Sequence, residues 1–102
     1  MDVKFAKEGN TLIVLIEGEI DHHTASRARA RIDSKFLMEP VKNMVMDLSR
    51  VTFMDSAGIG LILGRMNRVN SVGGKMTLRK PKPEISKILK MSKIESIVEL
   101  DA

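Results

Sequence analysis

The rhythm of hydrophobic and polar positions changes several times along the chain, and each change predicts an element. Val3 and Phe5 alternate with polar neighbours as far as Lys7, and Gly9-Asn10 then breaks the run, so residues 2–7 predict a strand entering a hairpin turn. Thr11 to Ile16 is a continuous apolar, β-branched run ended by Gly18, the pattern of a strand buried on both faces. The period then lengthens. Ala25, Ala28, Ile32 and Phe36 recur at three- and four-residue intervals, with Arg27, Arg31 and Lys35 opposite them, which predicts an amphipathic helix. Asp21 is its expected N-cap, and Pro40 stops the chain soon after it.

Asn43 to Leu48 reads as a second interior strand, with Ser49 to Asp55 as the connection into the next helix. That helix is predicted over residues 56–70 by the stripe Ile59, Ile62, Leu63, Met66 and Val69. Gly60 and Gly64 are expected to form a flat strip against the sheet, because glycines weaken a helix unless close contact requires them. Gly73-Gly74 ends the helix and leads into Met76-Thr77-Leu78, a strand reached by a right-handed crossover and so parallel to its predecessor. Pro81 and Pro83 flank a last helix with Ile85, Ile88 and Leu89 facing inward, and Ile97 to Leu100 predicts a final short strand. The expected fold is α/β, with order β-β-α-β-α-β-α-β and a mixed sheet of four to five strands.

Composition narrows this picture. A chain of 102 residues supports one core and one domain, residues 1–102, and 43% hydrophobic with 29% charged residues is a globular balance. Three Phe are the only aromatic residues besides histidine, so the eight Met are expected to fill core space. The absence of cysteine excludes disulfides, thiolate catalysis and cysteine-based metal sites. The start, Met1-Asp2-Val3-Lys4, has no secretory pattern, and the longest apolar run is far short of a membrane span, so a cytoplasmic protein is expected.

The formal charge of +4 is uneven: residues 1–55 hold 8 basic and 9 acidic groups (−1), and residues 56–102 hold 9 and 4 (+5). The basic residues of the second half, from Arg65 and Arg68 to Lys93, are dispersed and have no aromatic platform beside them. They are expected to be solvated, and direct nucleic-acid binding is not expected.

Candidate chemistry concentrates at Met54-Asp55-Ser56-Ala57-Gly58-Ile59-Gly60, where a strand and its loop give way to a helix. The first turn of a helix carries N–H groups without intrahelical partners and partial positive charge, so an anion is favoured there. Asp55 and Ser56 taken alone are also explained by simple N-capping. A Walker loop is ruled out because Gly60 is followed by Leu61-Ile62 rather than Lys-Ser or Lys-Thr. A serine hydrolase needs a positioned base, and nothing in the sequence sets His22 or His23 against Ser56. Adjacent histidines cannot form the i, i+4 ligand pair of a zinc helix, so neither metal nor cofactor is expected. Glu17, Glu19 and Asp21, at spacing two, are expected to project as an acidic rim near the end of their strand.

Two segments together are more specific. Gly18-Glu19-Ile20-Asp21-His22-His23-Thr24-Ala25 and Phe53-Met54-Asp55-Ser56-Ala57-Gly58-Ile59-Gly60, continued through Arg65, resemble the signature segments of bacterial anti-sigma-factor antagonists of the STAS fold, most closely the sporulation branch. The later Gly73-Gly74-Lys75-Met76 turn and the Met91-Ser92 helix end extend the likeness over nearly the whole chain. The resemblance implies a regulatory binding protein, not an enzyme. Its unphosphorylated form binds an anti-sigma factor with serine kinase activity and frees the sigma factor, and a PP2C-type phosphatase reverses phosphorylation.

On that resemblance Ser56 is the phosphoacceptor, and Asp21, His22, His23, Asp55, Ser56 and Gly58 form the partner surface. Ala57 stands where the family commonly has a second serine, which removes an alternative acceptor. The competing expectation is a STAS module that senses a nucleotide or small ligand.

Overall fold

The computed structural model describes residues 1–101. β1 (Asp2–Glu8) and β2 (Thr11–Ile20) form an antiparallel hairpin, and β3 (Asn43–Met54), β4 (Met76–Arg79) and β5 (Glu99–Asp101) continue the sheet in parallel, in the spatial order β1-β2-β3-β4-β5. The connecting helices are α1 (Ala25–Met38), α2 (Ser56–Ser71) and α3 (Pro83–Met91), with a 3-10 turn at Ile94–Ser96 before β5. The hairpin turns at Gly9-Asn10, where Gly9 has φ +60°, a value L side chains rarely adopt. The five-stranded mixed sheet and element order agree with the expected α/β fold.

The core lies on one face of the sheet. Register aligns Leu12 with Met44 and Met44 with Met76, and likewise Val14, Met46 and Leu78, and all six are buried. Ala28 and Ile32 of α1, Leu61, Ile62 and Val69 of α2, and Ile85 and Leu89 of α3 close over them in one cluster. Ile13 and Leu15, on the other face of β2, are only half-buried, so this strand is not buried on both sides as its composition suggests. On that open face Ile13 is flanked by the cross-strand neighbours Ala6 and Val45, and Leu15 by Lys4 and Asp47. Met44, Met46, Met54 and Met76 fill core space as expected, whereas Met1, Met38 and Met91 are exposed.

The expected connection Ser49–Asp55 is instead strand as far as Met54. β2 itself runs on to Ile20 and supplies the partner, pairing Gly18 with Val51, Glu19 with Phe53 and Ile20 with Met54. β3 takes up extra residues at two irregularities, between Leu15/Glu17 and Gly18/Glu19 on the β2 side. Arg65, expected in solvent, is buried: its Nε lies 2.7 Å from Asp33 Oδ1 across the α1–α2 contact, and Asp33 Oδ2 also meets Arg68 Nε at 3.2 Å. Burial draws the Arg65 guanidinium below its ordinary pKa, Asp33 opposes the fall, and Arg68 and Arg29 add to it.

Candidate functional site

Ile20 and Met54 are directly paired at the ends of neighbouring parallel strands, so the two signature segments emerge side by side. The Asp55 amide donates to Ile20 O at 3.3 Å and ties the second segment to the first. This is the carboxyl edge of the parallel strands, the edge at which open α/β sheets generally present their sites.

At the second segment, Asp55 Oδ1 accepts from Ala57 N at 2.8 Å, and Asp55 is the N-cap of α2. Capping is therefore done by the aspartate. Ser56 is the first residue of the helix, exposed, and its hydroxyl is left out of the capping. An exposed oxygen at a helix start satisfies both requirements of a modification site: a kinase can reach it, and the helix terminus favours the charge that results.

At the first segment, Asp21 is not the N-cap of α1. The helix starts at Ala25 with Thr24 as its N-cap residue, and Asp21 instead closes the turn before it. Its Oδ1 accepts from His23 N at 2.9 Å and Thr24 N at 3.0 Å, while its own amide donates to Thr24 Oγ1 at 3.0 Å. Desolvation acts to raise the Asp21 carboxyl, but hydrogen bonds from Thr24 and His23, together with the nearby His23, outweigh it and hold the pKa below the ordinary carboxylate value. The turn leaves His22 and His23 exposed, their rings 3.9 Å apart between centroids and tilted by 39°.

The site differs from expectation at two places. Gly58, expected on the partner surface, is buried, and a Cβ added there would overlap Met54 Cγ and reach Ile20 Cγ2 at 3.4 Å. Its role is to let α2 start against the strand ends, which is the close approach that Gly60 and Gly64 were expected to provide. An added Cβ at either of those positions meets nothing within 4 Å. The acidic rim also does not form as a unit: Glu17 pairs with Lys4 at 3.1 Å and Arg50 at 3.6 Å, and Asp21 turns onto backbone N–H groups. Glu19 stays exposed.

Phe53, which the sequence does not single out, is a large apolar side chain 45% exposed where it pairs with Glu19, one residue before the strand ends. Its signal is an aromatic placed one residue before the buried Met54, on the alternate face of the strand. Among the described residues no group of His, Asp and Glu could hold a metal ion, and no helix is long and apolar enough to cross a membrane.

The STAS domain family model matches residues 2–102. The chain belongs to the STAS domain family. It is 32% identical over 100 residues to the anti-sigma F factor antagonist of Paenibacillus polymyxa, covering 98% of this chain and 86% of that one. Among solved structures it is similar to the anti-sigma factor antagonist SpoIIAA in its unphosphorylated form, with TM-score 0.77 at 27% identity over 99% of this chain and 88% of that one. The Bacillus cell fate determinant SpoIIAA in its phosphorylated form matches with TM-score 0.75 at 28% identity over 99% of this chain and 92% of SpoIIAA.

Proposed function

We propose that this STAS domain is an anti-sigma-factor antagonist that binds an anti-sigma factor with serine kinase activity when Ser56 is unmodified and is released when Ser56 is phosphorylated. The observation that carries the reading is the division of labour at the start of α2: Asp55 caps the helix through Ala57 N, which leaves the exposed Ser56 hydroxyl available for chemistry. Similarity to SpoIIAA in both phosphorylation states supports a fold that accepts the modification, since the two forms match this chain almost equally well.

The switch is electrostatic. A phosphate adds about −1.5 to −2 charges beside backbone N–H groups that tolerate an anion, so the domain need not refold. The same charge lands on a surface that already presents Asp55 and, across the Ile20–Met54 pair, Asp21. A partner that reads the acidic and apolar surface around Asp21, His22, His23, Phe53 and Asp55 meets a strongly negative one after phosphorylation. A PP2C-type phosphatase restores the binding form, and no catalytic step is assigned to this chain.

Two variants test the reading in opposite directions. Ser56→Ala should keep the affinity of the unmodified protein for the anti-sigma partner, whereas Ser56→Asp should lose at least about tenfold, the size of a 1.4 kcal/mol penalty. Isothermal titration with the partner measures both, and equal affinities would contradict a charge switch at Ser56.

A further inference from the structure

α1 and α2 do not close fully against each other. Between them lies a groove of about 360 Å³, at the lower end of the roughly 300–1,000 Å³ usual for ligand cavities. Gly60 and Gly64 of α2 form part of its lining, although neither neighbours nor backbone require glycine there: an added Cβ meets nothing within 4 Å and neither residue has positive φ. Each glycine weakens α2 relative to alanine. What the pair achieves is an open groove.

Arg29 and Arg65 line the groove beside His22, and among the described residues no carboxylate does. Nearby, Asp33 holds both Arg65 and Arg68, while Arg29 enters no ion pair among the described residues. Arg65 is only 6% exposed, and its Nε and Nη1 make no hydrogen bond, the Nε contact to Asp33 being close but poorly aligned. Those two atoms are sealed from the groove and Asp33 supplies the opposite charge, so the exposed Arg29, without an ion pair among the described residues, is the cation left to meet an anion there. The rest of the lining, including Ala25, Ala57 and Leu61, is apolar.

We propose that the α1–α2 groove binds a small organic anion, a carboxylate or phosphate monoester that faces Arg29, Arg65 and His22 and carries a short apolar body lying over Gly60 and Gly64. The volume admits a body of a few carbons beside the charged group. Ser56 does not line the groove, although its neighbour Ala57 and His22 of the first signature segment do, and the proposal does not rest on the antagonist reading.

The test is a titration of the ¹⁵N-labelled full chain, without any protein partner, by hexanoate and phenyl phosphate, with hexanamide and inorganic phosphate as comparisons. At least one organic anion should shift the amides of Ala25, Ala57, Gly60 and Gly64 saturably, with Kd on the order of 1 mM, and the two comparisons should bind at least about tenfold more weakly. Gly64→Leu, which fills the groove, and Arg29→Gln, which removes a charge, should each weaken binding about tenfold while thermal unfolding shows both variants folded. The proposal is overturned if neither organic anion saturates, if hexanamide binds as well, or if both variants bind like the parent. Inorganic phosphate binding as tightly as the organic anions would mark an adventitious ion only and would also overturn it.

Discussion

At the start of α2 two neighbouring side chains divide the work of a helix terminus: Asp55 satisfies an N–H group, and Ser56 stays free. The same separation of structure from chemistry extends to the glycines. Gly58→Ala forces Met54 to move and should cost about 1–2 kcal/mol, whereas Gly60→Ala meets open space and should gain up to about 1 kcal/mol of helix propensity. Urea unfolding of the two variants measures this difference in sign.

Asp21 gives a second test at this scale, through acid. Its folded-state pKa is depressed, so below the ordinary carboxylate value the unfolded chain binds the proton more readily. The Asp21 turn therefore stabilises the fold above that value, and the contribution is lost as pH falls through the folded pKa. Unfolding measured against pH should show a shallower acid limb in Asp21→Asn than in the parent. Parallel acid limbs would mean that the carboxylate does not distinguish the folded from the unfolded chain.

At the scale of elements, the helices announce themselves by spacing: of the expected stripes, Ala28, Ile32, Phe36, Ile62, Val69, Ile85 and Leu89 are buried, while Ala25, Ile59, Leu63, Met66 and Ile88 are half-buried against the core and Leu61, outside the expected stripe, is buried. Period alone does not reveal a partner distant in sequence. Ser49, Arg50 and Thr52 look like loop residues, yet they lie within β3 because β2 runs alongside and pairs with Arg50, Val51, Phe53 and Met54, while Ser49 and Thr52 fall at the irregularities. Arg65 looks like a surface residue until Asp33 of α1 is brought against it. That pair ties the two helices together, and Asp33→Ala would leave a buried guanidinium uncompensated, a loss of about 3 kcal/mol. Replacing both partners, as in Asp33→Leu with Arg65→Met, should recover most of that loss, and thermal unfolding of the single and double variants compares them.

For the whole molecule, placing all three helices on one face of the sheet sends both signature segments to the same edge, where Ile20 pairs with Met54. The likeness of those segments to anti-sigma-factor antagonists is readable in the sequence, because both are contiguous runs. Their adjacency is not, since it follows from parallel pairing of β2 and β3 beyond the point where the apolar runs end. For the same reason the exposure of Phe53 and the burial of Gly58 show only once the strands are paired.

The central claim is that this edge is a surface whose charge is switched at Ser56. Incubation with the anti-sigma factor kinase and ATP, followed by mass spectrometric localisation of the phosphate, addresses it directly. A single phosphate on Ser56, absent from Ser56→Ala, is the predicted result. A phosphate on another residue, or none with a kinase shown to be active, would contradict it.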